Sequence, residues 1–247
     1  MQLCTTFLLT NGRKKMQAFF EKFIDDFKTN FIVDDRWMYI TDGLKTTLLV
    51  TFFALILGVL LGFVVAIIRA TCDKTGKLKI ANAICKLYIT VIRGTPVVVQ
   101  LLIIMYVIFA SVYIEGEIVA ILAFGLNSGA YVAEIVRSGI MAVDEGQFEA
   151  GRSLGFNYVQ TMVYIIMPQA FKNILPALGN EFIVLLKETS VAGYVALQDL
   201  TKGGDIIRSR TYSYMPLIAT ALIYLVMVIG FSKLIGLLER RLRNSER

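Results

Sequence analysis

The stretch from Asp144 to Pro168, DEGQFEAGRSLGFNYVQTMVYIIMP, decides how this chain is organised. It is polar at its start, marked by glycines and supplied with helix-capping residues, and it lies between hydrophobic segments long enough to cross a bilayer. A membrane protein does not need an ordered polar insert of this kind merely to fold. We therefore expect a soluble partner to dock on this insert.

The composition places the chain among integral membrane proteins. Its 247 residues are 56% hydrophobic and 18% charged, with a mean hydropathy of +0.66. The formal net charge of +6 does not indicate nucleic-acid binding, because the basic residues flank apolar spans. Orientation in the membrane explains them better.

Residue content excludes several kinds of site. The chain has no histidine, and its three cysteines, Cys4, Cys72 and Cys85, lack CxxC spacing. We therefore predict no metal or haem site and no histidine-based catalytic triad. The sequence also lacks a GxxxxGK[ST] phosphate loop. It follows that the chain is predicted not to be an enzyme, and that any nucleotide chemistry resides in a partner.

The hydrophobic pattern predicts an all-α integral membrane protein with five transmembrane helices. Each span could cross a hydrocarbon core of roughly 30 Å, which takes about 20 helical residues. Gly58 and Gly62 give the first span the spacing that permits close helix packing, and Arg93-Gly94-Thr95-Pro96 interrupts the second span early. The predicted spans cover residues 43–68, 88–113, 117–136, 175–198 and 214–236.

Loop charges predict an outside N-terminus and an inside C-terminus. Basic residues crowd the loop after the first span and the tail after the last span, which places both in the cytoplasm. The loop after the fourth span argues the other way, since Lys202, Arg208 and Arg210 would lie outside. The first loop and the tail outweigh it, so residues 137–174 are predicted to be a cytoplasmic insert. Arg93 most simply anchors a span end in the headgroup region.

The two ends of the chain are predicted to lie outside the transmembrane domain. Residues 1–15 read as a possible upstream extension, with Met16 as the alternative start. Residues 16–40 are predicted to be an extracytoplasmic amphipathic segment, because aromatic residues recur there at helical spacing. This helix would lie on the membrane surface or cover the first span, and packing against the bundle is the alternative. The transmembrane domain covers 41–240, and 241–247 form a cytoplasmic tail.

Capping residues predict a short helix in the first half of the insert. Asp144 and Gln147 form a capping-box pattern that opens this helix, and Gly155 can close it. One face of the helix is small and flat, which suits close contact with another surface. The residues of that face are Gln147, Ala150, Gly151 and Leu154.

A second helix is predicted in the other half of the insert. Asn157 and Gln160 repeat the capping-box pattern, and Pro168 limits the helix. An apolar stripe would anchor it to the membrane domain. The stripe consists of Val159, Met162, Val163 and Ile166. The alternative is a loop that merely happens to be helical.

These residues resemble a known signature. Glu149-Ala150-Gly151, followed at fixed spacing by Gly155, Ile165 and Met167-Pro168, is similar to the E-A-A-x3-G-x9-I-x-L-P signature of ABC-importer permease subunits. The chain departs from it twice, since Gly151 replaces the second alanine and Met167 replaces the leucine.

Three further stretches narrow the resemblance to the polar amino acid permeases of the His, Glu, Gln, Arg and opine type. Val91–Gln100 resembles the second span of that family, and Leu126–Arg137 resembles the third. Leu178–Ser190 resembles the fourth span. The likeness covers roughly residues 40–240, in order and without large gaps.

The resemblance implies a coupling helix from about Asp144 to Gly155, inserted in a groove of a cytoplasmic ABC ATPase dimer. Glu149 and Arg152 would lie at the contact, while Gly155 allows the turn out of it. The implied coupling set is Asp144, Gln147, Glu149, Ala150, Gly151, Arg152, Leu154 and Gly155.

The resemblance also implies an assembly in the cytoplasmic membrane of a prokaryote. The chain, embedded in membrane lipid, would pair with a second permease subunit, identical or homologous. ATP and Mg²⁺ would be bound by the ATPase, and an extracytoplasmic binding protein would deliver the amino acid. ATP binding would switch the bundle from inward-facing to outward-facing. Which amino acid is carried stays open.

Ionisable residues at membrane depth are costly unless paired or hydrated, so they indicate a pathway. Lys187 and Glu188 are predicted near the middle of the fourth span, followed by Thr189 and Ser190, whose hydroxyls can satisfy a locally opened backbone. A site with both charge signs suits an amino acid zwitterion. The alternative is that these groups bond each other or a neighbouring subunit.

Further polar residues of the spans are candidates for the same pathway. Gln100 and Asn127 can donate and accept hydrogen bonds within the bundle, so we predict them as substrate contacts. Tyr131 joins this set, although such a tyrosine is more often a core residue. Glu134 and Glu181 would serve a gate or an interfacial salt bridge.

The alternative function is an ATP-independent channel or secondary transporter for a small zwitterion. Such a protein would use Lys187 and Glu188 without ATP. The cytoplasmic insert disfavours this alternative, because an ion-coupled carrier has no use for an ATPase docking site.

Overall fold

A computed structural model describes residues 16–18 and 20–244, and all regular structure among these residues is helical. Short π-helical and 3-10 segments join several of the helices. From Trp37 onward the helices are α1 (Trp37–Thr75), α2 (Lys79–Gly94), α3 (Val97–Ile103), α4 (Gly116–Met141), α5 (Glu145–Ser153), α6 (Tyr158–Thr161), α7 (Met167–Glu188), α8 (Leu200–Thr211) and α9 (Met215–Asn244). The predicted all-α class is confirmed, while the possible upstream extension lies outside the described residues.

Three of the described helices, α1, α4 and α9, are long and apolar enough to cross a membrane. The bent pair α2–α3 raises the number to four if it forms one span. The three helices correspond to the first, third and fifth predicted spans. The number of five spans and the direction of the termini therefore stay predictions.

Close packing of α1 against α4 forms the centre of the fold. A Cβ atom on Gly58 would lie 2.9 Å from the Cβ of Ser128, and one on Gly62 would lie 2.5 Å from Val132 Cγ1. The predicted close packing at these two glycines is confirmed. The residue numbers of the contacting positions increase in the same direction along both helices, so α1 and α4 run parallel. The connection through α2 and α3 must therefore return the chain to the opposite end of the bundle.

The predicted interruption of the second span is confirmed and is sharper than expected. α2 begins at Lys79, and α3 leaves it at a bend of 108°. Thr95 is extended, as the residue before a proline usually is. The side-chain nitrogen of Gln100 donates to the Ile92 carbonyl (2.7 Å) and to the Thr95 hydroxyl (2.8 Å), which satisfies the broken helix end. Whether the bent pair forms one span over 88–113 stays a prediction.

The fourth predicted span has other bounds. α7 begins at Met167 and ends at Glu188, and the 3-10 segment Thr189–Val195 follows it. Lys187 and Glu188 therefore lie at the C-terminal end of α7 and not inside one continuous helix over 175–198, while their depth in the membrane stays a prediction. Thr189 is buried and donates to the carbonyl of Leu186 (2.8 Å), so its hydroxyl stabilises the tightened turn.

The sequence after the fourth span was expected to be a loop, but it forms α8. Asp199 caps this helix by accepting from the backbone nitrogens of Thr201 (2.9 Å) and Lys202 (3.1 Å). Two adjacent glycines, Gly203 and Gly204, allow α8 to fit between α1 and α9. A Cβ on the first would overlap the carbonyl of Tyr39, and one on the second would overlap Thr220.

The N-terminal segment presents an apolar face. Residues 20–27 are helical, and the π-helix Lys28–Ile32 continues them. Asn30 is buried, donates to Ser213 (3.2 Å) and accepts from Thr211 (2.7 Å), which ties this segment to the end of α8. The exposed apolar side chains before it are Phe20, Phe23, Ile24 and Phe27. This face suits a membrane surface, and an extracytoplasmic location stays a prediction.

Replacing Gly203 with alanine should destabilise the fold, because the new methyl group meets backbone rather than a flexible side chain. Overpacking of this kind costs about 1–3 kcal/mol. Gly230→Ala is the matched control, since a Cβ there has no neighbour within 4 Å among the described residues. Thermal unfolding of the purified chain in detergent should show a lower midpoint for Gly203→Ala alone. Equal midpoints for both variants would contradict the packing at Tyr39.

Candidate coupling surface and central cavity

The first insert helix, α5, begins as predicted but without a complete capping box. The side chain of Asp144 accepts from the backbone nitrogen of Gly146 (2.7 Å), so it does cap the helix. The side-chain oxygen of Gln147 accepts instead from Gln169 Nε2 (3.2 Å) on α7. The predicted hydrogen bond from the Asp144 backbone nitrogen to the Gln147 side chain was therefore wrong, because that side chain contacts Gln169 instead.

Gly155 closes α5 as predicted. Its φ is +83°, a conformation that favours glycine. Its backbone nitrogen donates to the Arg152 carbonyl (2.9 Å), and the nitrogen of Phe156 donates to the Gly151 carbonyl (3.0 Å). These two bonds form a Schellman motif, which satisfies the carbonyls at the helix end.

The second predicted capping box is confirmed, but the helix that it opens does not end at Pro168. Asn157 accepts from the backbone of Gln160 (2.9 Å), and the side chain of Gln160 accepts from the backbone of Asn157 (3.0 Å). α6 continues through the π-helix Met162–Ile166 into α7. Pro168 lies in the first turn of α7, directly after the wider π turn, where a proline is tolerated.

The predicted contact face of α5 needs two corrections: Gln147 is only half-exposed and bonded to Gln169, and the other is at Gly151. This residue is buried, and a Cβ on it would lie 2.6 Å from Thr161 Cγ2 and 3.1 Å from Ile165 Cδ1. It therefore faces the second insert helix and allows α5 to approach α6 closely. This contact explains why glycine stands where the signature has alanine. We call the exposed residues Glu149, Ala150, Arg152 and Leu154 the coupling face; Glu145, Gly146 and Ser153 of α5 are exposed as well.

The predicted apolar stripe of the second helix is only partly buried. Ile166 is fully buried and Met162 is half-buried, so these two residues anchor the insert. Val159 is 65% exposed and Val163 is 52% exposed. These two valines therefore do not pack on the bundle, which corrects the predicted four-residue anchor.

Ion pairs connect the end of α1 to α4 and to the insert. Lys74 lies 2.7 Å from a Glu145 carboxylate oxygen, and its nitrogen lies 4.8 Å from the centre of the Phe148 ring. The hydrogen bond from Lys74, together with its charge, lowers the pKa of Glu145. One residue earlier on α1, Asp73 pairs with Arg137 of α4 at 3.4 Å. A third pair, between Arg69 of α1 and Glu134 of α4, completes what we call the charge ladder.

A wide-open cleft of about 420 Å³, here called the central cavity, lies between α2, α4 and α7. The Arg93 guanidinium lies 5.0 Å from the centre of the Tyr131 ring, so Tyr131 positions this cation. Glu181 is buried and accepts from the Ser128 hydroxyl at 2.8 Å. Glu134, of the charge ladder, also lines the cavity. Charges of both signs therefore meet in one space.

Of the substrate contacts predicted from the sequence, Tyr131 lines this cavity, as do Glu134 and Glu181, which were predicted for a gate or a salt bridge. Asn127 donates to the side-chain oxygen of Gln100 (3.1 Å), so both amides are engaged at the α2–α3 bend. Ser190 lines a separate cavity of about 320 Å³ beside α8. Thr189 is buried nearby, at the 3-10 turn described above. The predicted pathway residues named here therefore lie in three separate places: the central cavity, the α2–α3 bend and the region beside α8.

Sequence reasoning gave too little weight to two cavity residues. Arg93 was expected to anchor a span end, and Glu181 was expected at a gate or an interfacial bridge. Both line the cavity, where the end of α2, just before the bend, lies beside α4 and α7. The proline two residues after Gly94 was the available signal, since a helix end inside the membrane exposes its last side chains.

Residues 58–244 match the family model described as binding-protein-dependent transport system inner membrane component. The putative glutamine transport system permease protein GlnP of Rickettsia bellii is 37% identical over 211 residues, covering 83% of this chain and 93% of that protein. The arginine transport system permease protein ArtQ of Bacillus subtilis is 36% identical over 211 residues, covering 84% and 94%.

A solved structure agrees with these relatives. The crystal structure of an amino acid ABC transporter with histidines superposes with a TM-score of 0.76 and 46% sequence identity, covering 85% of this chain and 98% of that one. The resemblance predicted from the signature at Glu149 is confirmed. The chain belongs to the family of binding-protein-dependent transport system inner membrane components, the permease subunits of ABC importers.

Proposed function

We propose that this chain is the permease subunit of an importer that carries a polar amino acid across the cytoplasmic membrane of a prokaryote. A separate ATPase dimer binds ATP and Mg²⁺ and drives transport, and an extracytoplasmic binding protein delivers the substrate. A second permease subunit, identical or homologous, completes the pathway. One observation carries this proposal: the exposed coupling face is joined by the charge ladder to a cavity that contains both charge signs.

The coupling face is the docking surface for the ATPase. Glu149 and Arg152 offer charges to the partner, while Ala150 and Leu154 offer an apolar contact; Leu154 is 72% exposed. Exposed apolar residues beside charges are typical of a protein interface. The Schellman turn at Gly155 fixes the orientation of this face relative to the membrane domain.

The charge ladder transmits a displacement of α5 to the membrane helices. Movement of α5 acts on α1 through Lys74 and Glu145, and α1 is packed tightly on α4. The Arg69–Glu134 pair ends in the central cavity. A coupling device requires two arrangements of one element that both sites bias, and α5 with the end of α1 is that element.

The substrate passes through the central cavity. Arg93 binds the carboxylate of the amino acid, and Glu181 binds its ammonium group. Gln100 and Asn127 contribute by fixing the bend that presents Arg93. The four residues from Lys187 to Ser190 lie at the far end of α7 and form the mouth of the pathway near α8. The five-span topology, with the N-terminus outside, places this mouth on the extracytoplasmic side.

Reversing the charge of Glu149 should uncouple the chain from its ATPase. We expect Glu149→Lys to weaken ATPase association at least tenfold and to abolish uptake in liposomes that contain the whole complex. Glu239→Lys is the matched control, because Glu239 is equally exposed but lies on α9, away from the coupling face. Wild-type association and uptake in the Glu149 variant would contradict the proposed docking surface. ATP-independent uptake by the chain alone would favour a channel or secondary transporter.

Neutralising Glu181 should weaken substrate binding without affecting ATPase docking. Glu181→Gln keeps a group that can accept from Ser128 but removes the charge that would face the substrate ammonium. We expect KM for uptake to rise about tenfold or more, on the scale of a lost charge-assisted hydrogen bond. Glu115→Gln, at an exposed position before α4, is the control. An unchanged KM in the Glu181 variant would exclude it from the pathway.

A further inference from the structure

The N-terminal segment, residues 21–32, is joined to the membrane domain at its C-terminal end. Every residue from 21 to 29 is exposed, so the bundle itself does not cover this stretch. Asn30 and Phe31 are buried and attach the segment to the bundle. The segment lies outside residues 58–244, the part of the chain that the family model matches.

The exposed stretch has one apolar face and one charged face. Phe23, Ile24 and Phe27 share a side of the helix and are 49%, 51% and 45% exposed. Three carboxylates and two ammonium groups occupy the remaining surface and leave it with a net charge of −1, so attraction to an anionic partner does not explain this pattern. These charged residues are Glu21, Lys22, Asp25, Asp26 and Lys28.

The apolar face leads directly into the membrane domain. The centre of the Phe27 ring lies 5.0 Å from the centre of the Phe31 ring. Phe31 belongs to a buried cluster with Ile40 of α1 and Leu200 of α8. α1 begins at Trp37, which is 46% exposed, and tryptophan is enriched at the boundary between hydrocarbon and water. The segment therefore leaves the bundle where an apolar membrane helix starts.

Asn30 fixes the segment to two elements of the membrane domain. Its side-chain nitrogen donates to the carbonyl of Asp26 (2.6 Å) and to the Ser213 hydroxyl (3.2 Å). Its side-chain oxygen accepts from the Thr211 hydroxyl (2.7 Å). Thr211 is the last residue of α8, and Ser213 precedes α9. One buried amide thus holds the segment against the end of α8.

A lipid bilayer fits the apolar face better than a second copy of the chain does. Stable protein interfaces bury about 1,200–2,000 Å² in total. The described helix offers three half-exposed apolar side chains with charges beside them, which is too narrow a stripe for such an interface. A bilayer covers a narrow stripe without needing a complementary protein surface.

From these contacts we propose that residues 21–29 lie along the surface of the lipid bilayer, with Phe23, Ile24 and Phe27 inserted among the upper parts of the acyl chains. Interfacial helices bury their apolar face by about 5–10 Å in this way. The charged face stays in water, and insertion rests on apolar contact rather than on headgroup charge. Through Asn30 the segment ties α8 to the membrane surface. This role is independent of the substrate pathway and of the coupling face.

Tryptophan fluorescence of the full-length chain in lipid vesicles tests this placement, because Trp37 is the single tryptophan of the sequence. In a Trp37→Phe background, Phe23→Trp reports on the apolar face, and Asp25→Trp is the matched control on the charged face. Lipids brominated near the carboxyl end of their acyl chains should quench the Phe23→Trp variant about twofold more than the control. Acrylamide in the water should quench the control more. Equal bromolipid quenching of both variants, or none in Phe23→Trp, would overturn the proposal.

The composition of the vesicles tests whether apolar contact holds the segment. Bromolipid quenching of the Phe23→Trp variant should be the same in neutral phosphatidylcholine vesicles and in vesicles that contain phosphatidylglycerol, at low and at high salt. A requirement for the anionic lipid, or loss of quenching at high salt, would contradict insertion through the apolar face.

Amide hydrogen exchange over Leu200–Thr211 tests the tie to α8. In the otherwise wild-type chain, Phe23→Gln should accelerate this exchange about threefold, because it weakens the membrane contact of the segment. Lys22→Gln is the matched control, since it introduces the same side chain on the charged face. Wild-type exchange in the Phe23 variant would show that the segment does not hold α8. None of these readouts depends on uptake, so they test the proposal separately from the transport function.

Discussion

The close approach of α1 and α4 at Gly58 and Gly62 is the constraint on which the rest of the structure depends. Because both positions lack a side chain, the two parallel helices pack with Ser128 and Val132 directly against the α1 backbone. Further along, the same register brings Arg69 beside Glu134. It also places the end of α1 where it can contact the insert. A change in the α1–α4 register would therefore separate the coupling face from the cavity.

The free energies that ion pairs and buried side chains contribute indicate which contacts hold the insert and which orient it. Solvent screens an exposed ion pair, so the Lys74–Glu145 pair alone cannot anchor α5. Anchoring comes from the burial of Ile166 and from the close contact of Gly151 with Thr161. Burying one such aliphatic side chain stabilises a protein by about 1.5–3 kcal/mol. The charge ladder therefore orients the insert, and packing supplies the stability.

Local signals predicted much of the fold. The capping box at Asn157 and the helix end at Gly155 depend on residues only a few positions apart, and both were predicted from the sequence. Close packing at the glycine pair of α1 was also predictable, because the two glycines are four residues apart and lie on one helical face. These features need no knowledge of the partner helices.

The features that sequence reasoning missed depend on contacts between distant residues. Gly151 was placed on the exposed face, since the orientation of a short helix is set by what it packs against, here Thr161. α8 was expected to be a loop because its sequence is polar. It is helical where it packs between α1 and α9. Arg93 and Glu181 are 88 positions apart in sequence, and only the 108° bend brings them to one cavity.

The most direct test of the account is a charge exchange across the Lys74–Glu145 pair, with uptake per ATP hydrolysed as the measurement. In liposomes with the assembled complex, Lys74→Glu and Glu145→Lys should each lower this ratio, because each single variant places like charges opposite each other. The double variant restores an attractive pair and should recover most of the wild-type ratio. A wild-type ratio in both single variants, or no recovery in the double variant, would contradict the claim that this contact couples the insert to the membrane helices.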